Sequence, residues 1–295
     1  MTHALTLRGL NKRFGKNQAL NDLEFTVPAG SICGLIGPNG AGKTTTMSII
    51  AGFLTPDSGT IDLLGLGPFD PVKHAGKVGI LPQDAELPTA STPRQLLTAW
   101  GRLQGIPGSA LHSAIDRVLS EVLLGDRADA RIATLSHGMR RRVTVASALL
   151  GSPAFVLLDE PTSGLDPAQA RHLRDVLAGL RGKTTVLISS HNLAELESLC
   201  DRVVVIDRGC CVREGAMSTV TGADREVTIT LAEPVPDGLS ATVVLRLTAD
   251  DPRSLPEATS EMLRELLALG ARIHEVRAGC SLEARVLADT SAAGA

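Results

Sequence analysis

The stretch GPNGAGKTT, Gly37 to Thr45, constrains this chain more than any other. It follows the apolar run SICGLI and opens a helix-like segment, KTTTMSIIAG. This is the G-x-x-x-x-G-K-[ST] pattern in the strand–loop–helix context that it requires. Gly37, Gly40 and Gly42, with Pro38, Asn39 and Ala41 among them, let the backbone curl so that successive N–H groups point inward. The helix N-terminus adds partial positive charge. Lys43 offers a point charge to the β- and γ-phosphates of a nucleotide, the Thr44 hydroxyl can ligate Mg2+, and Thr45 completes the cradle. An ordinary Gly-rich turn needs no Lys–Thr pair at that offset.

A second stretch, FVLLDEP, runs from Phe155 to Pro161. Four apolar residues predict a fully buried strand of a parallel sheet, and two adjacent carboxylates stand where it ends. Buried acids need water, a metal or a cation. A strand surfacing into a polar turn would explain them blandly. The phosphate cradle supplies a better reason. Asp159 is placed to ligate nucleotide-bound Mg2+, directly or through water, and Glu160 to deprotonate an attacking water.

The surroundings exclude several classes. Net charge is −3, from 29 basic and 32 acidic residues, so no basic excess points to nucleic acid. One tryptophan, Trp100, five phenylalanines and no tyrosine leave little for base stacking. Five cysteines (Cys33, Cys200, Cys210, Cys211 and Cys280) show no CxxC spacing, which favours free, reduced thiols. The N-terminus lacks the apolar core of a signal peptide, and no run approaches the ~20 apolar residues of a membrane span. The expectation is a soluble chain, reaching a membrane only through a partner.

Short strand-like runs alternate with helical ones. HALTLRGL, LEFTVPAG, SICGLIG, DSGTIDLLG, AFVLLDEP, TTVLISS and RVVVID read as strands. Helical character falls at about residues 92–124 and 136–150, in PAQARHLRDVLAGL and in HNLAELESLC. The alternation implies a parallel sheet covered on both faces. At MSTVTGAD the composition turns small and polar. Beyond it, EVTITL and TVVLRL predict strands, and SLPEATSEMLRELLALG predicts a helix capped by Ser254 and Glu257 and ended by Gly270. ARIHEVR reads as one more strand. The expected division is a domain over 1–220, with a helical part over about 88–150, and a small α+β domain over 224–292.

Four further stretches specify the kind of nucleotide enzyme. They are LPQD, containing Gln83; TLSHGMRRRVTVASALL, from Thr134; SGLDP, Ser163 to Pro167; and SSH, ending at His191. In this order they resemble the ATP-binding subunit of ABC transporters, over residues 4 to 220. The resemblance implies an ATP-hydrolysing P-loop fold with a parallel sheet core, an antiparallel β subdomain and a helical subdomain. It implies that Gln83 touches the metal and the attacking water, and that Ser136 and Gly138 bind the γ-phosphate held by an opposite protomer. It makes Asp166 the aspartate between two sites, His191 the switch histidine on the γ-phosphate, and Phe14 the ring stacked on adenine. Simple core packing is the alternative for Phe14. ATP and Mg2+ are the implied cofactors. The implied partners are a second ATP-binding chain, as homodimer or pseudo-symmetric dimer, and a separate membrane-spanning permease at the cytoplasmic face of the membrane.

The usual signature Leu-Ser-Gly-Gly-Gln reads Leu-Ser-His-Gly-Met here. Met139 is familiar in exporters of the drug-resistance and polysaccharide type. His137 is strained if its position needs φ > 0, and its imidazole alternatively offers a donor to phosphate. The run Arg140 to Arg142 reads as a solvated, partner-facing start of a helix. The segment around CSLEARVLADT also resembles the C-terminal domain of drug-exporter subunits, where the family more often has Pro-Ser-Leu-Glu-Asp. Rival readings are a soluble ABC-type ATPase acting on ribosomes or DNA, and a regulatory module that binds ATP without turnover. The first usually carries two cassettes or a long coiled-coil insertion, and this chain shows neither. The second is disfavoured by intact Glu160 and His191.

Overall fold

The computed structural model describes residues 2–223, 226–232, 242–247 and 254–292. Two compact units emerge, Met1–Glu214 and Gly215–Ala295. In the first, β1 (His3–Phe14) pairs antiparallel with β2 (Asn17–Pro28) and β4 (Ser58–Leu63). A second sheet runs β5 (Val78–Leu81), β6 (Phe155–Asp159), β7 (Thr185–Ser189), β3 (Ile32–Ile36), β8 (Arg202–Asp207) and β9 (Cys210–Ala216). From β5 to β8 every neighbouring pair is parallel. Its central strands are buried along their whole length, as near-continuous Val, Ile and Leu runs require.

Parallel strands end on the same side of a sheet, where open α/β folds bind ligands. β3 leads into the Gly37–Thr45 loop and α1 (Lys43–Ile50), and β6 leads into Asp159 and Glu160. β7 lies between them, with Ser189 level with Leu35 on one side and Asp159 on the other. The three chemical stretches therefore emerge side by side.

Residues 92–124 form two helices, α2 (Pro93–Leu103) and α3 (Gly108–Glu121). They break where Gly105 takes φ 75° and Pro107 follows. Thr92 starts α2 with a capping box to Gln95. α4 (His137–Leu149) packs against α2, α3, β5 and β6 and is buried almost all round. Here one expectation fails. Arg141 and Arg142 are buried rather than solvated. A helix enclosed from its second turn onward draws the arginines of that turn inward, and each finds carbonyl partners. Arg142 donates to the Val122 and Leu123 carbonyls at the end of α3, both at 2.9 Å. α5 (Pro167–Ala178) and α6 (Leu193–Leu199) complete the unit. The five cysteines are free, and burial pushes the Cys33 thiol up to about 12.

The second unit begins before the composition shift. α7 (Met217–Thr221) packs on α9 (Leu282–Ala292), and the Thr221 carbonyl accepts from Cys280 N–H. A three-stranded antiparallel sheet runs β11 (Thr242–Arg246), β10 (Glu226–Leu231), β12 (Ile273–Ala278), with α8 (Leu255–Ala268) against it. Ser254 and Glu257 form the expected capping box, and Gly270 follows the helix at φ 77°.

Candidate functional site

The cradle is held closed by contacts a side chain would break. A Cβ at Gly37 would run into the carbonyl oxygen of Ile206 at the end of β8, so only glycine lets the two backbones approach. Lys43 curls back and donates to the carbonyls of Gly37 at 2.7 Å and Pro38 at 3.0 Å. An ammonium has three donors, and the loop uses two. Burial lowers the Lys43 pKa, opposed by the nearby charges of Glu160 and Asp159.

The acids at the end of β6 are held differently. Asp159 is buried and accepts the Ser189 hydroxyl. Glu160 sits at φ 52°, a left-handed conformation that costs a non-glycine residue about 1–3 kcal/mol. Its N–H donates to the Ser189 carbonyl at 3.2 Å and lies 3.3 Å from the Ser189 hydroxyl. Its carbonyl accepts from Arg141, and its carboxylate meets His191 Nδ1 at 2.7 Å. These partners fix the strained turn and aim the carboxylate outward beside a histidine that is 78% exposed.

One cavity of about 310 Å3 brings together part of this set, without Gly37, Pro38, Ala41 or His191 among its lining residues. Phe14, Asn39, Gly40, Gly42, Lys43, Thr44, Thr45, Gln83, Asp159 and Glu160 all line it. The Phe14 ring is 47% exposed at its rim rather than in the core, with the Lys12 ammonium 5.7 Å from its centroid.

The comparisons with known proteins fall on the same elements. A family model described as ABC transporter matches residues 20–163. Nod factor export ATP-binding protein I of Burkholderia lata is 45% identical over 218 residues, covering 72% of this chain and 70% of its own. That of Bradyrhizobium diazoefficiens is 40% identical over 222 residues, covering 72% and 70%. A solved ATP-binding subunit of an ABC transporter superposes with a TM-score of 0.68 at 27% identity, covering 75% of this chain and 92% of its own. The cbiO1 protein of Clostridium perfringens, part of the ABC transporter complex cbiONQ, gives 0.66 at 26%, with the same coverage.

The chain belongs to the ABC transporter family. It is an ATP-binding, ATP-hydrolysing subunit of such a transporter, and the α/β fold expected from the sequence is the ABC ATPase fold. No helix among the described residues is long and apolar enough to cross a membrane.

The remaining ABC motifs cluster apart from the cradle. Ser136 caps α4 by accepting Met139 N–H at 3.2 Å, and Asp166 caps α5 by accepting from Ala168 and Gln169. Both are exposed. A Cβ on Gly138 would lie 3.2 Å from Gln169 Oε1 and 3.4 Å from the Gly164 carbonyl oxygen, so the signature loop packs on the SGLDP loop of its own chain. His137 is the first residue of α4 with negative φ, so the strain considered for it is absent. Its ring lies over Gly164, which takes φ 74°, and a Cβ there would come within 2.5 Å of His137 Cδ2. Gly164→Ala is therefore expected to destabilise the chain by about 1–3 kcal/mol, from a backbone strain and a ring clash together. Adding His137→Gly should return the part due to the clash. Identical denaturant midpoints for the single and double variants would show that the ring yields without cost.

The donor set fits Mg2+. The Thr44 hydroxyl, the Gln83 amide oxygen and the Asp159 carboxylate are hard oxygens on one cavity, with a single acid. Mg2+ typically takes one or two carboxylates and leaves its other positions to phosphate and water. Two contributors were not anticipated, Ser189 and Arg141. Ser189 stood unremarked inside SSH, and Arg141 inside a charged run that read as solvated. The signal for Arg141 was the apolar sequence following it on every face of α4.

Proposed function

We propose that ATP, with Mg2+, binds in the 310 Å3 cavity and is hydrolysed there, with Phe14 against adenine and the Gly37–Thr45 backbone and Lys43 on the phosphates. Thr44, Gln83 and Asp159 would hold the metal, which neutralises charge on the β- and γ-phosphate oxygens. Glu160 takes the proton of the attacking water, and Gln83 orients that water. The observation that carries this reading is the convergence of Lys43, Thr44, Gln83, Asp159 and Glu160 on one cavity. His191 donates Nδ1–H to the Glu160 carboxylate when that group is ionised. Its Nε2 then donates to a phosphate oxygen only in the imidazolium form.

Ser136, Gly138 and Asp166 serve a second copy in this reading. The Ser136 oxygen accepts from Met139, which leaves its proton for a phosphate oxygen from outside. Two chains, as a homodimer or with a related chain, then close head to tail. Closure drives a separate membrane-spanning permease, for export, at the cytoplasmic face of the membrane. Export rests on the relatives, which are Nod factor export ATP-binding proteins. A mixing experiment tests the shared site. With ATP held well below the raised Kd of Lys43→Ala, that change empties every cradle and Gly138→Asp disables every signature loop, so each variant alone should show little turnover. Mixed dimers should regain turnover, because one cradle and one loop remain intact and face each other. A mixture as inactive as its parts would mean that each chain uses its own loop.

A further inference from the structure

Arg141 has surroundings that its helix does not require. It is 8% exposed, and its planar fork grips two loops at once. Nη1 donates to the carbonyl of Gln83 at 3.1 Å and lies 3.5 Å from that of Pro82. Nη2 donates to the carbonyls of Asp159 at 2.5 Å and Glu160 at 2.8 Å. Nε has no hydrogen-bond partner. Every acceptor is a backbone oxygen, so the charge is not spent on a salt bridge. The carboxylates of Asp159, Glu160 and Asp84 act on the guanidinium through space, against the desolvation of its burial.

Placing a permanent cation in a buried site costs stability unless its donors are met. Here four carbonyls from two different segments meet them, and a fifth donor goes unmet. The two segments are the ones that carry Gln83 and Glu160. Glu160 also holds a left-handed conformation that its surroundings must enforce. Arg141 itself stands on the first turns of α4, five residues after Ser136. One guanidinium therefore joins the water-orienting loop, the strained acid and the signature helix.

We propose that Arg141 is a positioning residue for ATP hydrolysis, holding the backbones of Gln83 and Glu160 in one fixed relation from the start of α4; this rests on the roles given to those two residues above. A guanidinium suits the task because its donors are rigid and coplanar, whereas a lysine presents one point charge on a flexible stem. Displacing a reacting group by about 1 Å can cost about 100-fold in rate.

The test measures kcat and KM for ATP, with the thermal midpoint, for Arg141→Met, Arg141→Lys, Gln83→Ala and the double variant Arg141→Met/Gln83→Ala. Val143→Ala, a core truncation on the same helix, serves as a control for stability alone. Arg141→Met should lower kcat about 10–100-fold with KM within about threefold of wild type, because the cradle is untouched. Arg141→Lys, which keeps charge and bulk, should remain folded and still lose most of that rate. In the double variant the losses should not multiply, since both changes release the same water-orienting group. Val143→Ala should lower the midpoint and leave kcat unchanged. Wild-type kcat in folded Arg141→Lys would overturn the proposal, and so would losses that multiply or a rate loss in Val143→Ala as large at equal destabilisation. Glu160→Gln separates the two levels. If it retains turnover, the reading of the site fails. If it is inactive while both Arg141 variants turn over normally, only the positioning role fails.

Discussion

Glu160→Gln is expected to bind ATP as tightly as the wild type and to hydrolyse it about 10²–10⁴-fold more slowly, the usual span for loss of a general base. The substitution keeps the side-chain length and leaves the backbone restraints on residue 160 in place, since Ser189 and Arg141 hold its N–H and carbonyl. Asp159, Thr44 and Lys43 are unchanged around the phosphates. What disappears is the carboxylate base beside the cavity, with the contact its oxygen makes to His191 Nδ1. Without turnover, the closed dimer should accumulate with ATP. Phosphate release and size-exclusion profiles with and without ATP measure the two effects. A rate within a few-fold of wild type would remove Glu160 from the chemistry.

Lys43→Ala acts at binding. The ammonium donates to the Gly37 and Pro38 carbonyls and keeps a donor for phosphate, so its loss removes a charged hydrogen bond and loosens the loop. Hydrogen bonds to charged groups contribute about 1.5–3 kcal/mol, which corresponds to about 10–100-fold in Kd. Equilibrium binding of labelled ATP gives the number, and unchanged affinity would place the phosphates elsewhere. The pH dependence has a definite sign. Burial lowers the Lys43 pKa, with Glu160 and Asp159 opposing. The ammonium therefore neutralises at lower pH than an exposed lysine would. ATP affinity should fall toward alkaline pH in the wild type, and the Lys43→Ala protein should lack that fall.

The sheet was legible because a strand buried on both faces must be apolar along its middle, and FVLLD, TVLIS and RVVVID carry polar residues only at their ends. The cradle was legible because every residue it needs is contiguous in the chain. β5 escaped notice, since VGIL is only four residues long. The Arg140–Arg142 run misled because charge was weighed without the helix that surrounds it. α4 is enclosed by α2, α3, β5 and β6, and an enclosed arginine seeks carbonyls instead of water. His137 was weighed for strain at the wrong residue. The residue it faces, Gly164, is the left-handed one, as is Glu160.

The sequence by itself determined the chemistry available, namely a phosphate loop, a metal-binding hydroxyl, two acids, a glutamine and a histidine, each in a local context that specifies strand end or helix start. It did so because such motifs depend on backbone shape over a few residues. Only the tertiary structure decided which of these groups meet. Parallel strand order set β7 between β3 and β6, and so brought Ser189 onto Asp159 and His191 onto Glu160 across about thirty residues of chain. It also turned Arg141 onto four carbonyls and set His137 over Gly164. Those contacts follow from how whole elements pack, and residues distant in sequence carry no local pattern that announces them.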